Sequence, residues 1–142
     1  MIAVLRIALA ILALDELVVG AWNQFAPDSF YANFPTVDQT PPFSEHFARD
    51  FGGATLGIAV LLTVAAVFPR GPFVLPAGIA YTVFAVPHFV FHADHLEHAS
   101  PGEAVFLVLG NAAAALLGVL VIVLGVLRMR RDRRAVQHPA VG

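Results

Sequence analysis

The stretch FVLPAGIAYTVFAVPHFVFHADHLEH, residues 73–98, decides the fold. From Phe73 to Pro87 only Tyr81 and Thr82 carry polar side-chain atoms; His88, His92, Asp94, His95, Glu97 and His98 then follow in quick succession. A helix needs about 20 mainly apolar residues to cross the hydrocarbon of a bilayer. The pattern predicts a membrane span over about residues 73–92 that ends in a polar cluster at one membrane face.

Three further segments have this length, at about residues 2–22, 47–68 and 103–127. The expected architecture is all-α: a four-helix transmembrane bundle over residues 1–127, with an outer loop over 23–46, followed by a basic tail over 128–142. Composition agrees. Of the 142 residues 58% are hydrophobic and only 13% charged, against roughly 25% charged in soluble domains, so the surplus apolar surface must face lipid. No nucleic-acid partner is expected. The absence of cysteine removes disulfides, thiolate nucleophiles and thiolate metal sites together. The first span carries Asp15 and Glu16 and has no small-residue cleavage site after it, so it reads as a retained helix and not as a secretory signal.

All eight basic residues are arginine. Arg128, Arg130, Arg131, Arg133 and Arg134 follow the fourth span, and Arg70 sits between the second and third. Positive charge marks the cytoplasmic side, which predicts cytoplasmic termini and a multi-pass protein of a bacterial inner membrane. Asp28, Asp38, Asp94 and Glu97 then fall on the outer side, where the histidines also lie. The outer loop, with four prolines and the aromatics Phe25, Phe30, Tyr31, Phe34 and Phe43, is expected to lie on the membrane surface as a cap. The tail is expected to fray, its arginines suiting anionic headgroups; His138 within it carries no reading.

Helices in lipid associate through small residues that allow close approach. Gly53 and Gly57 form one GxxxG pattern, and Gly110, Ala114 and Gly118 continue another. Either could serve the internal bundle or a homodimer. Pro76 and Pro87 fall in the third span, where each removes a helix hydrogen bond and favours a kink.

On a helix, His88, His92 and His95 share an arc of about 60°, with Tyr81 continuing the stripe inward and His98 further round. The i, i+4 spacing of His88 and His92 lets two imidazoles reach one metal. The second span opens with His46 and Asp50 four apart, and with Glu45 and Arg49 four apart as a salt-bridge pair. Glu16 lies roughly 9 Å inside the outer end of its span, His88 about 10 Å and Asn111 about 12 Å. Ionisable groups at such depth are costly unless they face one another or a cavity. A shared outward-facing site is the economical explanation, with His88, His92, His95, His46, Asp50 and Glu16 as candidate metal ligands. Glu45, Arg49, Tyr81, His98 and Asn111 are candidate supporting or structural groups.

The segments ELVVGAW (residues 16–22), APDSFYANFP (26–35), FSEHFARDFGG (43–53) and VPHFVFHADHLEH (86–98) together resemble a family of small four-span membrane proteins common in actinobacteria, loosely similar to the DoxX-like group. The resemblance runs from Glu16 to about His98. It implies a four-helix membrane fold, and some DoxX-like proteins are linked with respiratory or redox partners.

Two functional readings follow. In the first the cluster is a non-haem metal site, with a redox role if the metal is redox-active. Nitrogen and oxygen donors without thiolate suit zinc, iron or copper(II) better than copper(I). Haem fits less well, since His88 and His92 on one helix cannot ligate one iron from opposite faces. In the second the cluster is a structural hydrogen-bond network in an accessory or assembly subunit of a larger membrane complex. A proton pathway fits poorly, because little polar continues below Tyr81 and Thr82.

Overall fold

The structure is a computed structural model that describes residues 1–37 and 42–137, with side chains of the last helix as far as Arg134. The expectations placed on Asp38 and His138 fall outside these residues. Five helices follow in order: α1 (Ile2–Phe25), α2 (Pro27–Asn33), α3 (Glu45–Val67), α4 (Gly71–Asp94) and α5 (Pro101–Gln137). No strand occurs among the described residues. Three of the helices, α3, α4 and α5 as far as Arg134, are long and apolar enough to cross a membrane. The helix α1, with Arg6, Asp15 and Glu16 along its length, is not among these three.

Local chemistry sets the helix starts. Ser44 caps α3 by accepting from the backbone N–H of Phe47. At α5 a reciprocal capping box forms: Glu103 accepts from the Ser100 N–H at 2.8 Å while the Ser100 hydroxyl accepts from the Glu103 N–H at 3.4 Å, with Pro101 following the cap. Pro27 opens α2 in the same way that Pro72 opens α4, at positions where a missing N–H is harmless. The helix α4 runs through Pro76 and Pro87 without interruption.

The four long helices pack as a ring in the order α1, α3, α4, α5, and among the described residues each backbone comes close to its two neighbours and not to the helix diagonally opposite. Two neighbours are much closer than the others: α1 lies on α3, and α4 on α5. Glycine explains why. A methyl group on Gly52 would stand 2.6 Å from the Gln24 nitrogen and 2.8 Å from the Gly20 oxygen, so only hydrogen fits where α1 crosses α3. In the α4–α5 pair, Gly118 lies against Tyr81 and Thr82, Gly125 against Val74 and Leu75, and Gly78 against Val121 and Ile122. These contacts run in opposite chain directions, so both pairs are antiparallel.

The expected GxxxG positions divide. Gly118 packs inside the bundle and Gly53 meets only the Gln24 side chain, at 3.4 Å from a would-be methyl. Gly57 and Gly110 face open space, with nothing within 4 Å. The close α1–α3 approach uses Gly20 and Gly52 instead, one position before the GxxxG pattern.

Two arginines fasten the ends of the α1–α3 pair. The last carbonyls of a helix have no partner within it. Arg49, near the start of α3, donates to the Gln24 carbonyl at the end of α1 at 2.5 Å; Arg6, near the start of α1, donates to the Val67 carbonyl at the end of α3 at 3.4 Å. Each helix thus supplies a cation to its partner's negative end, where the backbone dipoles favour positive charge.

The half of the bundle nearest Arg6 and Val67 is filled by Leu5, Leu9, Leu12, Leu62, Val74 and Val121, all buried. The expected spans at 2–22, 47–68 and 73–92 lie within a few residues of α1, α3 and α4. The fourth differs: α5 does not end near Leu127 but continues to Gln137. No glycine or proline interrupts residues 128–137, arginine is a good helix former, and Arg128 lies 3.9 Å from Asp132 one turn on. The segment expected to fray is helix as far as Gln137.

Gly52→Ala is expected to lower the thermal midpoint in detergent, overpacking of this kind costing about 1–3 kcal/mol. Gly57→Ala, facing open space, should leave it unchanged or raise it by up to about 1 kcal/mol through helix propensity. Circular dichroism melts of the two variants side by side check the sign difference.

Candidate functional site

Small residues draw each helix pair together, whereas large ones hold the two pairs apart. Phe51 of α3 meets Phe84 of α4 with ring centroids 5.8 Å apart across this seam. Beyond the leucine-filled half, the space between the pairs is a cavity of about 920 Å³. All four long helices line it: Glu16 and Asn23 from α1, Phe51 from α3, Tyr81, His88 and His92 from α4, and Asn111 from α5.

The segment between α1 and α3 covers the cavity. Pro27, Phe30 and Tyr31 of α2 line it, as do Phe34, Thr36 and Val37 beyond, and Phe43 before α3. An aromatic cluster holds α2 in place. Phe30 stacks on Phe34 at 4.7 Å, Trp22 stands edge-on to both, and the Trp22 Nε1–H donates to Ser29. Thr36 is buried with a φ of 71°. A β-branched residue there carries backbone strain of about 1–3 kcal/mol, a device met at binding sites. The cap expected from the loop's aromatics is therefore a short helix and a strained turn over the cavity.

Glu16 is the deepest charged group. Its side chain is 3% exposed and its Oε2 atom has no hydrogen-bond partner among the described residues. Its neighbour Asp15 also lines the cavity, and no arginine does. Opposite, His88 stacks on Phe84 at 5.1 Å and stands edge-on to His92, their ring centroids 4.5 Å apart. Both histidines are half-buried.

Three other polar side chains in this half bond to their own helices. Asn23 donates to the Val19 carbonyl, Thr82 to Gly78 and Asn111 to Leu107, each one turn back. One donor of each is thus occupied without tying one helix to another.

The six candidate ligands do not form one group. Glu16, His88 and His92 share the cavity, and so do the supporting candidates Tyr81 and Asn111. His95 is exposed at the cap position of α4, its ring stacked on Phe91 at 4.2 Å and its Nδ1 2.8 Å from the Phe91 carbonyl. This contact turns it onto the end of its own helix. His46 and Asp50 form an exposed pair, 3.3 Å apart, because Phe47, Ala48 and Phe51 are the α3 residues that face the cavity. Glu45 and Arg49 make the expected ion pair at 2.8 Å, and His98 is exposed in the turn after α4. Among the described residues no three histidine or carboxylate side chains stand close enough together to hold a metal ion.

The sequence reading missed Asn23 and Asp15 on the cavity wall. Asn23 lies seven residues after Glu16, two turns along one face, and that spacing was the available signal. At Thr36 the available signal was Pro35: the Val37 N–H donates to the Phe34 carbonyl at 3.4 Å, closing a turn with proline at its second position and the positive φ at its third.

A buried, unpartnered carboxylate is costly to stability. Glu16→Leu is expected to raise the thermal midpoint, by the equivalent of about 1–3 kcal/mol, while His46→Ala at the surface stays within about 0.5 kcal/mol. Melts in one detergent check both; a lowered midpoint for Glu16→Leu would mean that the carboxylate has a stabilising partner. Compared with known proteins, the chain matches no family model, no curated protein and no solved structure.

Proposed function

We propose that the protein is a four-span integral membrane protein of a bacterial cytoplasmic membrane, with both termini cytoplasmic. Its cavity lies toward the outer side, beneath α2, and binds a small lipid-soluble molecule. The observation that carries this reading is Glu16, a buried carboxylate with a free oxygen beside about 920 Å³ of space. Ligand pockets are typically mostly apolar, with a few placed polar groups that fix orientation. Glu16, His88, His92 and Tyr81 would be those groups here, within aromatic walls.

Several features support α1 as the fourth crossing. On its outward face Ile7, Ile11, Leu14, Leu17 and Val18 are half or more exposed, with the exposed Asp15 at the edge of this apolar stripe. Its charges are used elsewhere: Asp15 and Glu16 at the cavity, Arg6 on the Val67 carbonyl. The orientation rests on arginine. Seven of the eight, all but Arg49, belong to the end of the bundle opposite the cavity, and positive charge favours the cytoplasmic side.

A second reading makes the same residues a non-haem metal site. Its support is the pair of imidazoles with centroids 4.5 Å apart, lining the same cavity as an unpartnered carboxylate. His88 and His92 would supply two nitrogen donors to zinc, iron or copper(II), a donor type suited to any of these, while Glu16 does not stand close enough to them to complete a group of three. A bound metal would supply Lewis-acid or redox chemistry. His95, His46 and Asp50 would take no part. The intrahelical bonds of Asn23, Thr82 and Asn111 favour either reading over a network that ties helices together in an accessory subunit.

The chain has no cysteine, so single cysteines report topology directly. Asp28→Cys is expected to react with an impermeant maleimide in intact cells, and Arg70→Cys only after permeabilisation. The reverse pattern would overturn the orientation, and equal labelling the crossing number. Elemental mass spectrometry on protein purified without a histidine tag tests the second reading. About one metal per chain, lost in His88→Ala and His92→Ala, would establish it; a folded protein that binds no zinc, iron or copper on titration would remove it.

A further inference from the structure

The polar groups of the cavity are not balanced in sign. Asp15 and Glu16 are the charged residues in its lining, and no arginine accompanies them. The nearest arginine on α1, Arg6, is ten residues away and bound to the Val67 carbonyl. Glu16 is buried with a free oxygen, and a carboxylate in such a place usually has a cation beside it. This chain supplies none.

The walls are suited to supply the rest of a cation's environment. Phe30, Tyr31, Phe51, Tyr81, Phe84 and Phe91 all line the cavity. Aromatic faces attract cations electrostatically, more strongly when water is excluded. A hydrated metal ion makes poor use of such a surface, and the carboxylates and imidazoles do not gather closely enough to replace its water. The volume, about 920 Å³, lies in the range of pockets that take drug-sized molecules.

We infer that the cavity binds a hydrophobic organic monocation, an amphiphilic amine or quaternary onium, with its charge at Glu16 and its apolar body among the phenylalanines. This rests on the ligand-binding reading above and narrows it to one chemical class. The carboxylate fixes the charge sign, the aromatic rings enclose the onium group, and the α2 roof covers it. Asp15, one residue away, adds a second negative charge to the same wall.

The test uses full-length protein in a neutral detergent, with tetraphenylphosphonium as the cationic probe and triphenylphosphine oxide as a neutral aromatic counterpart. Equilibrium dialysis measures both. The cation is expected to bind the wild type, with Glu16→Gln weakening it by about tenfold or more. The neutral probe should lose no affinity in that variant, and Glu16→Asp, which keeps the charge, should hold the cation within a few-fold. Thermal melts establish that each variant is folded. Cation binding that Glu16→Gln leaves unchanged, or equal loss of both probes, overturns the inference; neutral binding alone does the same while leaving the ligand site standing. If neither probe binds the folded wild type, the inference and the ligand-binding reading fall together.

Discussion

The backbone contact between Gly20 and Gly52 is the constraint on which the rest of the structure depends. Lipid tails are as apolar as leucine, so packing α1 on α3 gains little from burial alone and needs close approach. Hydrogen in place of a side chain at both positions permits it. The arginines then fix the register, since Arg49 reaches the end of α1 and Arg6 the end of α3 only at one axial alignment. With that pair set, Phe51 is presented to α4 and Glu16 to the interior.

The cavity follows from an imbalance along the bundle axis. At one end, leucine and valine side chains fill the space between the helix pairs. At the other, Phe51 and Phe84 meet across the seam at a tilt of 50°, together with short polar groups bound to their own helices. Rings hold the pairs apart without filling the middle. The short helix α2, held by the edge-on contact of Trp22 with Phe30, lines that end of the space. Glu16 is tolerable there because the space beside it admits a partner that the helices do not provide.

Much of the helical order was legible in the sequence, and the site only partly so. Apolar runs located α1, α3 and α4 to within a few residues, since burial in lipid demands length and little else. The basic tail was expected to fray, yet arginine is a good helix former and α5 continues through it to Gln137. The histidine stripe correctly joined His88 and His92 to one face. It also included His95, whose ring is drawn to the carbonyl of Phe91 by the ending of the helix, which spacing does not reveal. Depth arithmetic brought Glu16 and Asn111 to the level of His88, yet it equally suggested His46 and Asp50. Which way α3 is rotated depends on Phe47 and Phe51, and therefore on packing between helices.

The side-chain bonds of this bundle have a mechanical consequence. Each hydrogen bond and ion pair described above stays within one helix, or within the α1–α3 pair and its roof; none ties that pair to α4 and α5. What joins the two halves is contact between rings and aliphatic groups, which can slide and re-form without a fixed partner. The width between the pairs is therefore set by how rings and aliphatic side chains fit, and a change of side-chain size at Phe51 or Phe84 alters it while every one of those bonds remains made.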